Sequence, residues 1–115
     1  MLALFAGASG DHVRLHIDSD FARAAGMDDV FAHGMLSMAF LAQMLTRWRP
    51  QAQMRRWGVR FIAITPVHAM VRCEGRVTEI LEENGERLAR VAIAVSTDAG
   101  LKTIEGEAIV ALGAA

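Results

Sequence analysis

His33-Gly34-Met35-Leu36-Ser37-Met38-Ala39-Phe40-Leu41-Ala42-Gln43-Met44-Leu45-Thr46-Arg47-Trp48-Arg49-Pro50 is the stretch whose reading decides the fold. From Gly34 to Trp48 apolar residues fall on nearly every side of a helical wheel, and only Ser37, Gln43, Thr46 and Arg47 are polar. A helix apolar all round is expected to be buried. Arg47 and Arg49 suit the negative end of the helix dipole. Pro50, which lacks a backbone N–H, stops the run.

Downstream the period changes from helical to alternating. Trp57, Val59, Phe61 and Ala63 alternate with Gly58, Arg60 and Ile62 until Pro66. Residues 67–80 read as a long second strand, and Glu82-Glu83-Asn84-Gly85 as a hairpin turn. Residues 88–97 carry Val91, Ile93 and Val95 on one face, Asp98-Ala99-Gly100 is a second turn, and residues 102–112 form the last strand. A single sheet must cover its apolar face, and the 34–48 helix is the only element long enough to do so. The pattern therefore predicts an α+β hot-dog arrangement, an antiparallel sheet wrapped around one long central helix. Other α+β layouts satisfy the same pattern.

With 115 residues the chain fits one domain, 1–115. At 53% hydrophobic residues it can build a core, but a domain this small gains from association with a second subunit. Twelve basic against 13 acidic residues leave a net charge of -1, which offers no footprint for nucleic acid or an anionic membrane. No apolar run approaches the length of about 18 residues expected of a transmembrane helix. Met1–Ala6 lacks the basic start of a signal peptide, so the expected location is cytoplasmic. The lone Cys73 has no partner for a disulfide and sits among apolar neighbours, so a structural strand thiol is expected.

Upstream of the central helix, Leu2, Phe5 and Ala6 lie at helical spacing before a glycine-rich bend at 7–10. Asp18 and Ser19 are N-cap candidates for a short helix through Ala25, with Gly26 as its stop. Residues 27–32 read as loop. Between the two short helices stands Asp11-His12-Val13-Arg14-Leu15-His16, with no clear period. Taken alone, Asp11 reads as an ordinary turn residue and His16 as a histidine satisfied by a backbone carbonyl.

Phe5-Ala6-Gly7-Ala8-Ser9-Gly10-Asp11-His12-Val13-Arg14-Leu15-His16-Ile17-Asp18, followed by His33-Gly34-Met35, resembles the signature of MaoC-like dehydratases and R-specific enoyl-CoA hydratases. The resemblance is carried by residues 5–45; residues 55–112 agree in pattern only. It implies the hot-dog fold and (R)-specific hydration of trans-2-enoyl-CoA, or the reverse dehydration of (3R)-3-hydroxyacyl-CoA. Asp11 and His16 would be the acid–base pair on one water, and the Gly34 N–H the oxyanion donor, with His33 bordering the substrate. It implies no metal and no cofactor beyond the thioester itself, carried by coenzyme A or acyl carrier protein, and a homodimer or higher homo-oligomer. The chemistry suits these residue types. Hydration needs a group to deprotonate water and a group to protonate C2. Charge grows on the thioester oxygen, where a helix N-terminal N–H is a fitting donor.

The chain departs from that signature at Val13-Arg14, where Asn-Pro is common, and at Val67-His68-Ala69, where a Pro-Gly-Asp type segment is frequent. Val13 cannot orient a water as Asn would. This departure motivates an alternative, a non-catalytic acyl-thioester-binding or partner subunit of a hot-dog hetero-oligomer. A thioesterase is less favoured, because residues 35–48 hold no carboxylate. Asp18 reads as a cap, His12 and His68 as exposed or structural, and Met35, Met38 and Met44 as core packing. Arg60, Arg72 and Arg76 are candidate phosphate contacts. The four histidines have no metal-ligand spacing.

Overall fold

The computed structural model describes residues 1–114. Helix α1 (Leu2–Ser9) leads through Gly10 to a 3-10 turn at Arg14–His16, helix α2 (Ser19–Ala24) and the central helix α3 (Gly34–Trp48). Strands β1 (Met54–Phe61), β2 (Val71–Glu83), β3 (Glu86–Thr97) and β4 (Lys102–Ala114) follow. They form one antiparallel sheet in the order β1-β4-β3-β2.

Strand alternation puts Ala89, Val91, Ile93 and Val95 of β3, with Ile104, Ala108 and Val110 of β4, on the face that meets Leu41 and Leu45 of α3. The α+β arrangement with α3 against the sheet is the one expected. The burial of α3 is not. Only Ser37, Leu41 and Leu45 are buried, whereas Met35 is 59% exposed. A four-stranded sheet can cover only one side of a cylinder, and α1 and α2 are too short to cover the rest. Of the methionines assigned to the core, Met44 packs against it and Met35 does not.

Turn chemistry follows the residues. Asn84 (φ 54°) and Gly85 (φ 77°) occupy the two left-handed positions of a tight hairpin between Glu83 and Glu86. The second strand starts at Val71 and not at Val67, because Val67-His68 makes a turn after Pro66, with His68 at φ 65°. The first strand ends at Phe61; the Ile62 and Ala63 N–H groups both donate to the Thr103 carbonyl, at 2.8 and 3.3 Å.

β1 and β2 are the edge strands. Arg60 and Arg72 lie on the sheet face turned away from α3, within reach of Glu105 (2.9 Å) and Glu74 (3.8 Å) respectively. Cys73 is half-buried on the inner face beside the core, and desolvation pushes its thiol up. It should react with a disulfide reagent at pH 8 far more slowly in the folded protein than after denaturation; equal rates would contradict its burial.

Asp18 caps α2 as expected, its Oδ1 accepting from the Phe21 N–H at 3.0 Å. That bond, and then the Arg14 guanidinium, holds its carboxyl below the usual range. Asp29, bonded by Ser19, and Glu86, bonded by Arg55, are lowered in the same way. A carboxyl lowered by folding stabilises above its ordinary value, and that contribution is lost as pH falls through the folded value. Stability should therefore fall below roughly pH 4. Asp18→Asn, which can still cap, should flatten that acid limb in melting experiments; an unchanged limb would show that the carboxylate charge contributes nothing.

Candidate active site

The segment between α1 and α2 is short and polar, and its own bonds shape it. The Asp11 N–H donates to Ser9 Oγ and the Val13 N–H to Asp11 Oδ1, both at 3.3 Å. The 3-10 turn then swings His16 inward. Arg14 does by contact some of what a proline would do by ring constraint. Its guanidinium reaches Asp18 at 3.1 Å and lies 4.3 Å from the centre of the Phe21 ring, tying the loop to α2.

His16 Nδ1 is 2.7 Å from the Phe31 carbonyl oxygen. A carbonyl can only accept, so Nδ1 carries a proton, and in the neutral ring the lone pair is on Nε2. Phe31 is itself fixed by a bridge to Pro66 and by its N–H to the Leu15 carbonyl, 3.3 Å. His33, at the N-cap of α3 and 2% exposed, donates from Nε2 to the Asp11 carbonyl oxygen at 2.9 Å. Its ring stacks on His16 with centroids 3.9 Å apart and planes at 23°, and Phe5 of α1 meets it edge-on at 4.9 Å. His33 Nδ1 is buried without a partner.

The Asp11 carboxylate and one ring nitrogen each of His16 and His33 lie within 4.8 Å of one another. These are residue types that ligate metals. The two rings, however, are stacked face to face, so their in-plane lone pairs run side by side and do not converge on one point. His33 Nε2 is also spent on a backbone carbonyl. The cluster sets an imidazole near a carboxylate that keeps 45% of its side-chain surface in solvent.

Gly34 begins α3 immediately after His33, and the first N–H groups of a helix have no partner within it. His16 lines two apolar cavities. One, of about 360 Å³, runs past Gly34, Met35 and Phe61. The other, of about 480 Å³, is bounded by Leu36, Ser37, Phe40 and Val71. Ala32 and Thr65 also border both. A Cβ on Gly34 would stand 3.0 Å from two Phe61 ring carbons, so any larger residue there would need the Phe61 ring to shift.

Of the residues singled out in the sequence, Asp11, His16, His33 and Gly34 come together, although Asp11 lines neither cavity. His12 is exposed, while His68 borders the larger cavity. The site contacts of the Phe31 carbonyl, Phe5 and Phe61 were not readable in the sequence, where Phe5 stood only in the signature and Phe61 only in a strand run: each contact appears only once distant segments meet.

A fifteen-residue helix laid on a four-stranded antiparallel sheet, with an Asp-His cluster at that helix's N-terminus, defines a hot-dog domain of the hydratase and dehydratase type. The chain belongs to the MaoC-like domain family, whose profile matches residues 1–100. It is similar to the (R)-hydratase of A. caviae involved in PHA biosynthesis, with 27% identity and a TM-score of 0.85 over 97% of this chain and 85% of that one. The R-hydratase PhaJ1 of Pseudomonas aeruginosa shares 31% identity and a TM-score of 0.83 over 96% and 71%. A 3-hydroxyacyl-thioester dehydratase Z of Mycobacterium tuberculosis is 29% identical over 106 residues, 86% of this chain and 70% of the relative. Among the described residues no helix is long and apolar enough to cross a membrane.

Proposed function

We propose that the protein catalyses (R)-specific hydration of a trans-2-enoyl thioester and the reverse dehydration of a (3R)-3-hydroxyacyl thioester. The observation that carries this reading is the clustering of His16, whose ring is oriented by the Phe31 carbonyl at 2.7 Å, with the Asp11 carboxylate, a ring nitrogen and a carboxylate oxygen lying within 4.8 Å. In this reading Asp11 and His16 hold one water. The pair takes a proton from it as its oxygen bonds to C3, and returns a proton to C2, so that water is consumed whole. The thioester oxygen, which gains charge as C3 is attacked, lies against the Gly34 N–H. The substrate needs no metal or further cofactor, and coenzyme A or acyl carrier protein supplies the thiol.

A cytoplasmic homodimer accords with the uncovered side of α3. Met35 (59% exposed), Phe61 (51% exposed) and Ile64 line the smaller cavity, and clustered exposed apolar side chains mark association surfaces. The alternative, a non-catalytic acyl-thioester-binding subunit, is favoured by Val13, which offers only a backbone N–H where a side-chain amide would hold water.

Purified protein supplied with crotonyl-CoA separates the two. Formation of (3R)-3-hydroxybutyryl-CoA, and dehydration of the 3R but not the 3S isomer, is expected. Tight acyl-CoA binding without turnover would overturn the hydratase reading in favour of the binding subunit.

A further inference from the structure

We infer that His33 is a positioning residue that acts through Asp11: it sets the acid–base loop against the start of α3 and makes no contact with substrate. The inference rests on the hydratase reading for its kinetic consequences, but its geometry stands apart from that reading.

Four observations converge on this ring. It is buried to 2% exposure directly before Gly34. Its Nε2–H donates 2.9 Å to the backbone carbonyl of Asp11, 22 residues away in sequence. It stacks on His16 at 3.9 Å, and Phe5 seals its edge. Its second nitrogen has no partner at all.

If packing were the ring's only task, phenylalanine would serve better, since it would bury no unpartnered nitrogen. What phenylalanine lacks is the N–H to Asp11. The loop from Gly10 to Val13 needs that bond. Its other hydrogen bonds are local, to Ala6, Ser9, Asp11 itself and His16, and the two that involve Asp11 side-chain or amide atoms are long, at 3.3 Å. Among the described residues the His33 bond is the one tether from this loop to a distant element. Because His33 also carries the start of α3 and stacks on His16, one rigid ring references all three reacting groups to each other. Where Val13 leaves the water without a side-chain amide, this tether holds the Asp11 backbone, from which the carboxylate projects, against the stacked imidazole.

Two substitutions separate the donor from the ring. His33→Phe keeps a ring to stack and removes the donor. His33→Gln keeps an N–H near the Nε2 position and removes the stack. For His33→Phe we expect kcat for crotonyl-CoA hydration to fall on the order of 10²-fold, the loss typical of a misplaced catalytic group, with KM little changed. His33→Gln should recover at least part of that loss, whatever its melting temperature. A purely structural role would instead follow stability and give His33→Gln the lower kcat.

Hydrogen exchange at the Asp11 and Val13 amides gives a readout that needs no turnover. It should quicken in His33→Phe and less so in His33→Gln. Unchanged exchange and kcat in His33→Phe, or a His33→Gln protein no better than His33→Phe in both, would overturn the inference. An inactive wild type with quickened exchange in His33→Phe would instead sink the hydratase reading and leave the tether standing. If His33→Phe does not fold, His33→Gln against the wild type still decides: exchange and kcat near wild type support the donor, and a full loss of both rejects it.

Discussion

Replacing His16 with alanine or Asp11 with asparagine should lower crotonyl-CoA hydration by about 10²–10⁴-fold each, the usual worth of one acid–base group. The two losses should not multiply. Both side chains lie in one cluster with atoms within 4.8 Å, and residues that act on a single water behave as a unit. The double variant should therefore be little worse than the poorer single one. His16→Ala also removes the ring on which His33 stacks, so its loss includes disorder of the loop, whereas Asp11→Asn keeps the Asp11 carbonyl that accepts from His33. Of the two, Asp11→Asn is the cleaner probe of charge. Steady-state kinetics on folded variants decide the matter. Full activity in both would dismiss this cluster as the site of reaction.

The largest expected loss of stability comes from Gly106→Ala. A Cβ at Gly106 would collide with the Gly58 carbonyl oxygen and come 2.7 Å from Val59 Cα and 2.9 Å from Val59 Cγ1. These are mostly backbone atoms of the paired strand, which cannot rotate aside as a side chain can. Overpacking of this kind costs about 1–3 kcal/mol, and with backbone atoms in the way the upper end is expected, which for a domain of this size lowers Tm by roughly 10 °C. Gly58→Ala is the control, since a Cβ there meets nothing within 4 Å, and it should melt close to the wild type. β1 also delivers Phe61 to Gly34, so a Gly106→Ala protein that folds should have a disturbed site. An unchanged melting temperature in Gly106→Ala would mean that β1 and β4 separate more easily than their register suggests.

The bounds of α3, the Asn84-Gly85 hairpin and the Asp18 cap were readable in the sequence because each is settled by near neighbours: a proline, two residues that tolerate positive φ, a side chain bonding three residues on. Asp11, His16 and Gly34 were readable through a family signature that spans them. The exposed side of α3 was not, because residue polarity tells what a helix could bury and not how much sheet there is to cover it. The late start of β2 depended on Pro66 pairing with Phe31, 35 positions away by number. The roles of His33 and Gly106 come from contacts with residues 22 and 48 positions distant, and neither carries a local pattern that announces them.

The two edge strands differ in charge. β1 carries Arg55, Arg56 and Arg60 with no acid, whereas β2 carries Glu74, Glu79, Glu82 and Glu83 against Arg72 and Arg76. Joining β1 to β1 brings like charges together but closes after two subunits. Joining β1 to β2 brings opposite charges together and leaves another open edge each time, so that growth ends only where the rotation closes a ring. Dilute buffer therefore favours the β1–β2 contact, and screening ions weaken that preference. Light scattering at low and high salt reads the difference: the mean assembly size should fall as salt is added.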